Sequence, residues 1–140
     1  MTLPELEEFI SHKLLNSDNY NSAVVFPDKQ SLISFMESVH ESINSSNSIL
    51  IESGKRIIRS NQKELCIGSN QKEFHIGSNL NINSNLTCFV FGKNMNSSCS
   101  KNYHLICFVD CTSMKGFDDL LIAAFGALYL RDGMLLFIST

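Results

Sequence analysis

The chain has 140 residues, of which 44% are hydrophobic and 18% are charged, and its formal net charge is −3. This length predicts one domain with an ordinary core. The acidic balance argues against a general nucleic-acid-binding protein, because such proteins carry a basic excess. No apolar run reaches the roughly 20 residues that a membrane-spanning helix needs, and the N-terminus has no signal-peptide core. We therefore expect an intracellular protein, cytoplasmic or nuclear and not secreted.

The N-terminal third predicts helix, strand and helix. The first helix begins after Thr2, which forms a capping-box pattern with Glu5, and ends near Asn16. A short buried strand follows at Ala23–Phe26. Apolar residues at helical spacing then predict a second helix from Lys29 to about Ile43.

The middle of the chain predicts an antiparallel meander. Its short strands are separated by glycines and cover Ile49–Ile51, Arg56–Arg59, Leu65–Ile67 and Phe74–Ile76. Within this region Ser60–Gly68 and Ser69–Gly77 are identical at seven of nine positions. Two copies are too few for a stacked solenoid, so we interpret the repeat as a duplicated strand and turn, of unknown role.

The middle region also carries a small basic cluster, Lys55, Arg56 and Arg59. We interpret this cluster as a solvated strand face. A contact with an anion, RNA included, is the alternative.

The last third contains the clearest pattern. A buried strand at Leu86–Phe91 and a long polar loop precede a second apolar strand, His104–Val109. A helix predicted at Phe117–Leu130 and a strand at Met134–Ile138 complete a unit whose strands are apolar on both faces. Such strands are typical of a parallel sheet covered by helices. We predict a three-layer α/β domain over residues 1–140, with a mixed sheet of parallel βαβ units and an antiparallel middle section.

Asp110 is the strongest candidate site residue. It follows an apolar strand directly, at the edge where open α/β sheets bind ligands. A hydrophobic strand that ends in Asp is the Walker B pattern, in which the carboxylate holds Mg²⁺ through water. The alternative is an Asp that only caps a turn.

Cysteine chemistry gives a second candidate. The count of five is odd and no pair has CxxC spacing, so we expect reduced thiols. Cys111 lies in a turn before a helix, where a lowered pKa would make a thiol reactive. The alternative is a small buried side chain. The four histidines have no metal-binding spacing, and we predict no metal site beyond the Asp110 alternative.

The order of these segments resembles the ATPase core of viral large terminase subunits and related helicase-like motors. Val24–Gln30 is similar to the segment after the phosphate-binding loop, and Lys55–Gly68 to a strand–tip–strand hairpin. Leu105–Asp110 resembles the Walker B strand, while Phe117–Leu121 and Arg131–Thr140 resemble the next helix and the coupling strand.

The resemblance implies an α/β motor fold with Mg²⁺ and nucleotide near Asp110. Two departures are visible in the residues. No GxxxxGK[ST] loop occurs, so phosphates have no backbone cradle, and Cys111 stands where the family has a glutamate. The resemblance therefore implies a partial or degenerate copy that does not hydrolyse ATP alone.

Three functions remain open. The first is a non-catalytic intracellular protein–protein or assembly module without cofactors, for which the resemblance implies a viral origin. The second is a terminase-like nucleotide-binding domain that uses Asp110 for Mg²⁺. The third is a small enzyme centred on Cys111. The missing phosphate loop favours the first.

The C-terminal strand predicts self-association. Met134–Ile138 is apolar on both faces and should have a neighbouring strand on each side, and an uncovered apolar edge is a template for pairing. We expect a homo-oligomer or a protein partner at an interface that includes Phe117, Leu121 or Leu136.

Overall fold

The structure, a computed structural model, describes eight backbone segments: residues 1–16, 19–43, 48–52, 55–59, 63–68, 73–78, 85–91 and 102–140. Side chains are described for residues 1–14, 19–39, 41–42, 86–91 and 102–140.

Three helices and eight strands make up these segments. The helices are α1 (Leu3–Asn16), α2 (Lys29–Ile43) and α3 (Phe117–Ala127). The strands are β1 (Asn21–Phe26), β2 (Ser48–Glu52), β3 (Lys55–Arg59), β4 (Lys63–Gly68), β5 (Glu73–Ser78), β6 (Asn85–Val90), β7 (Leu105–Val109) and β8 (Met134–Ile138).

The strands form one sheet in the order β2-β3-β4-β5-β6-β1-β7-β8. Four of them, β6-β1-β7-β8, are parallel, which confirms the α/β class predicted from the sequence. Each strand from β2 to β5 pairs antiparallel with the strand that follows it. The two copies of the nine-residue repeat supply β4 and β5, which are neighbours with Leu65 opposite Ile76.

Helices cover both faces of the parallel strands. α1 and α2 pack on the face that carries Val24, Phe26 and Cys107. α3 packs on the opposite face, which carries Val25 and Phe108. This alternation follows from the two-residue period of a strand, and it explains why every residue of β7 is buried.

Side-chain caps fix where the first two helices begin. The backbone N–H of Glu5 donates to Thr2 Oγ1 at 3.3 Å, as the capping box predicts. The N–H of Ser31 donates to Asp28 Oδ1 at 2.8 Å at the start of α2. Both helices end where the sequence predicts, near Asn16 and Ile43.

α3 is shorter than predicted: it ends at Ala127 rather than Leu130. Leu128 is extended and forms a parallel bridge with Tyr103, and the N–H of Tyr129 donates to the carbonyl of Tyr103 at 3.0 Å. These bonds to a distant segment replace the last helical turn. The following turn needs Gly133, because a Cβ there would lie 2.5 Å from the carbonyl oxygen of Tyr129.

β8 lies at the end of the sheet, contrary to the expectation of a strand on each side. Among the described strands it pairs only with β7. Phe137 is 48% exposed as a result, although Ile138 is buried. In the described ranges, no helix is long and apolar enough to cross a membrane.

We predict that the α1–α2 face of the core carries much of the stability. Phe35 is 2% exposed and its ring lies 5.1 Å from that of Phe26, so Phe35→Ala should lower the free energy of unfolding by about 3–5 kcal/mol. The control is Phe125→Ala, because Phe125 is 60% exposed and should cost less than about 0.5 kcal/mol. Urea unfolding measures both, and equal losses would contradict this packing.

Candidate functional site

A cleft of about 440 Å³ lies at the carboxyl ends of the parallel strands. Phe26, Val109 and Thr140 line it from the ends of β1, β7 and β8. Leu3 of α1 and Ser31 of α2 line it from the first turns of the two helices. The cleft is therefore at the edge where parallel α/β sheets bind ligands.

The strand order makes this position a topological switch point. β1 continues into α2 on one face of the sheet, whereas the neighbouring strand β7 continues into α3 on the other face. Because the two connections leave in opposite directions, they open a crevice between the ends of β1 and β7.

Asp110 projects from the end of β7 into this cleft. Its φ of 53° is left-handed, a conformation that costs most residues roughly 1–2 kcal/mol but that Asp tolerates. The N–H of Thr140 donates to Asp110 Oδ1 at 2.8 Å, and the Thr140 hydroxyl donates to Oδ2. The ends of β7 and β8 are thus tied together through one carboxylate.

The hydrogen bonds from Thr140 lower the pKa of Asp110, because they stabilise the charged form of the carboxylate. The side chain is only partly buried, and each carboxylate oxygen has a further lone pair. Asp110 is therefore ionised at neutral pH and has room to accept from water molecules around a cation.

Other oxygen groups surround Asp110. Ser31, Ser34 and Ser38 recur at spacings of three and four residues, so they share one face of α2, and all three line the cleft. Glu7 of α1 lines it too, and burial raises the pKa of its carboxyl group. No lysine, arginine or histidine is among the described residues that line the cleft.

This set of groups fits a hard cation better than a phosphate. Mg²⁺ keeps most of its water ligands and is commonly held by one or two carboxylates, and Asp110 and Glu7 are the two carboxylates among the described residues that line the cleft. No group of three or more His, Cys, Asp or Glu side chains in the described part of the chain forms a metal-binding cluster. A phosphate would therefore depend on the cation and on donors from outside this cleft.

Cys111 is next to Asp110 in the sequence but belongs to the core on the α3 face of the sheet. It differs there from the reactive thiol that the sequence suggested. Its side chain is fully buried, and its Sγ donates to the carbonyl of Val109 at 3.1 Å. Burial, together with the negative charge of Asp110, raises the pKa of Cys111 to about 12. Such a thiol is protonated at neutral pH. Because the thiolate is the nucleophile, this environment disfavours an enzyme centred on Cys111.

The other predicted site residues lie away from the cleft. Lys55, Arg56 and Arg59 are in β3, whose side chains are outside the described residues, so an anion contact there stays a prediction. Phe117 and Leu121 belong to α3 and are partly buried against the sheet. Leu136 packs toward α1 and α2 on the opposite face of the sheet, rather than into solvent.

Sequence reasoning found Asp110 but missed the groups around it. Thr140 had no visible signal, because its role depends on β8 lying next to β7. The serines on α2 did have one, since Ser31, Ser34 and Ser38 have the periodicity of a polar helix face. Glu7 looks like an ordinary surface acid in the sequence, and only the packing of α1 brings it to the cleft.

Comparison with solved structures identifies the fold. The Thermus phage P74-26 large terminase ATPase domain superposes with a TM-score of 0.57 at 11% sequence identity, and a point mutant of that domain gives 0.56. The chain shares the fold of a large terminase ATPase domain. The match covers 99% of this chain but 54% of the terminase chain. The resemblance predicted from the sequence is confirmed at the level of the fold.

Two further comparisons gave nothing. No protein-family model matches the chain, and no curated protein does.

We predict that Asp110 stabilises the fold through Thr140 in its ionised form. Asp110→Asn keeps the left-handed conformation and an acceptor for the Thr140 N–H, whereas Asp110→Ala loses both, so the alanine variant should be the less stable one. Chemical denaturation of the matched pair measures the difference. An alanine variant as stable as the asparagine variant would contradict this role.

The same contact predicts a dependence on pH. Since the folded-state pKa of Asp110 is lowered, its contribution is complete above the unfolded-state value near 3.8 and is lost as the pH falls through the folded value. The stability difference between wild type and Asp110→Asn should therefore shrink below about pH 4. Glu7, with its raised pKa, works in the opposite sense but is common to both proteins. A pH-independent difference would contradict the assignment.

We also predict that Cys88, Cys107 and Cys111 resist alkylation in the folded protein at pH 7.5. All three are buried, and burial raises the pKa of each thiol. Site-resolved mass spectrometry after treatment with iodoacetamide, with and without urea, tests this. Rapid labelling of Cys111 without urea would contradict this prediction and would support a reactive thiol at that position.

Proposed function

We propose that this chain is a terminase-like domain whose cleft binds Mg²⁺, with or without a nucleotide, and that Asp110 holds the cation through water. The carrying observation is the position of Asp110. It is an ionised carboxylate at the end of a buried parallel strand, fixed by Thr140 beside a switch-point crevice. The likeness in fold to a phage terminase ATPase domain supports this function over a purely structural module.

In this proposal the cation is the first ligand. Asp110 and Glu7 supply negative charge, and the α2 serines supply hydroxyl oxygens that accept from or donate to its water shell. The first turns of α1 and α2 border the cleft, but their Glu5 and Ser31 N–H groups already donate to Thr2 and Asp28, so an anion depends on the cation. A nucleotide phosphate would therefore reach the cleft as its Mg²⁺ complex.

The proposed role stops short of hydrolysis by this chain alone. Its sequence has no GxxxxGK[ST] loop, and Cys111, which is buried and protonated, stands where an acid would assist an attacking water. We infer that phosphate-cradling groups come from polypeptide outside these 140 residues. We propose that the domain works as part of a viral motor inside the infected cell.

A metal titration followed by amide NMR tests the proposal. MgCl₂ should shift the Thr140 amide, since it donates to Asp110, and the Ser31 amide across the cleft. Asp110→Asn should abolish these shifts. The control Asp118→Asn alters an exposed acid at the start of α3 and should leave them unchanged. Equal shifts in wild type and Asp110→Asn would contradict cation binding at Asp110.

Adding ADP in the same experiment separates the two ligands. We expect ADP to perturb the cleft amides only when Mg²⁺ is present, because the described lining has no basic side chain to receive a phosphate. Phosphate release from ATP should stay at background. Binding of ADP without Mg²⁺, or steady ATP hydrolysis by this chain, would contradict the division of roles proposed here.

A non-catalytic assembly role remains a second candidate for one specific reason. Large apolar side chains are exposed on α3 and on β8, with Ile122 at 71%, Phe125 at 60% and Phe137 at 48%. Exposed apolar groups near a sheet edge are typical of a surface that binds another polypeptide. Such a surface is compatible with a cation site, because the cleft is lined from α1 and α2 whereas these side chains belong to α3 and to the α3 face of β8.

A further inference from the structure

The outer edge of β8, which pairs with no other strand in the described part of the chain, has a defined set of backbone groups. On its inner side the N–H of Met134 donates to the carbonyl of His104 at 2.8 Å, and the carbonyl of Ile138 accepts from the N–H of Asp110 at 2.8 Å. Backbone groups of successive residues point to opposite sides of a strand, so Met134, Leu136 and Ile138 face β7. The N–H and C=O of Leu135 and Phe137 therefore face away from the sheet.

These outward groups are complementary to themselves. If two copies of β8 run antiparallel about a twofold axis at Leu136, then Leu135 of each copy lies opposite Phe137 of the other. Both residues have outward N–H and C=O groups, so they form the hydrogen-bonded type of antiparallel pair. The twofold axis repeats this pair. All four outward N–H donors and all four outward C=O acceptors of the two strands are then used.

The side chains fit the same arrangement. Phe137, about half exposed in the single chain, would be covered by Leu135 of the other copy on the α3 face of the sheet. No residue of Met134–Ile138 is charged, and the register places Asp132 opposite Thr140 of the partner copy, so no like charges face each other. Phe117 packs edge-on against Phe137, 6.0 Å between centroids, and extends this apolar surface onto α3.

We propose that the chain forms a symmetric dimer by antiparallel β8–β8 pairing, which joins two sheets into one. The occupant of the edge is a second copy, because the register that uses every outward backbone group is symmetric about Leu136. Leu136 itself points into the α1–α2 core, so the exposed interface residue is Phe137 rather than the predicted Leu136. The Asp110–Thr140 contact lies on the β7 side of β8 and stays intact.

Charge substitutions at Phe137 test the pairing. In the proposed register the two Phe137 side chains are diagonal neighbours on one face, at about 7–8 Å. Phe137→Lys and Phe137→Glu should each raise the dimer dissociation constant about tenfold or more, because each places like charges on that diagonal. An equimolar mixture of the two variants should restore the dimer. Ile122→Lys, on the exposed side of α3, is the control and should remain dimeric.

Multi-angle light scattering over a concentration series reads out the mass, and circular dichroism checks that each variant is folded. Amide exchange of the wild-type protein gives a second measurement that does not depend on the variants. Leu135 and Phe137 amides should become protected as the protein concentration rises. A wild-type monomer with unprotected Leu135 and Phe137 would leave the edge to a strand of a different polypeptide and overturn the proposal. Folded Lys and Glu variants that fail to pair when mixed would overturn the register.

Discussion

Burial of the parallel strands on both faces is the constraint on which the rest of this structure depends. β1 and β7 lie side by side at the middle of the parallel group, and nearly all of their residues are buried. Strands of this kind are stable only when helices cover both faces, which is why α1 and α2 take one side and α3 takes the other. The crossover connections then bring the carboxyl ends of the strands to one edge.

The candidate site follows from that edge. Asp110 is the first polar residue after β7, so it is placed beside the end of β1 by the same pairing that buries Val25 and Phe108. Its left-handed backbone is stabilised by the contact with Thr140, and that contact exists only because β8 is the next strand. A single carboxylate therefore links the ends of two strands and remains accessible from the cleft.

The carboxyl end and the outer edge of β8 have different roles. At its carboxyl end Thr140 holds Asp110, and along its outer edge Leu135 and Phe137 present backbone groups that no described strand pairs with. Edge strands with an apolar sequence invite pairing, and natural proteins commonly guard them with charges or bulges. β8 has neither between Met134 and Ile138, so it lacks the features that commonly protect an edge strand from pairing.

The sequence by itself determined the local structure. Helix caps at Thr2 and Asp28, the two-faced apolar strands and the turn before β8 are governed by neighbours within a few residues, so α1, α2, β7 and β8 were predictable, as was Asp110 as a strand-end acid. The sequence also indicated the terminase-like order of segments. The helices and strands follow from periodicity and composition, which are visible without any knowledge of contacts, whereas the order of segments was indicated by a resemblance to a known family.

Only the tertiary structure decided which distant residues meet. α3 ends early because Leu128 forms a β-bridge with Tyr103 and the N–H of Tyr129 donates to the carbonyl of Tyr103. The residues around Leu128 in the sequence give no indication of that partner. Cys111 is a buried thiol next to β1 and β7, with its Sγ near the carbonyl of Val25, whereas its turn position alone suggested reactivity. Strand order placed Thr140 on Asp110 and β8 at the edge, and the packing of α1 placed Glu7 in the cleft. Strand order depends on long-range pairing, and a strand pattern is the same whichever neighbour it has.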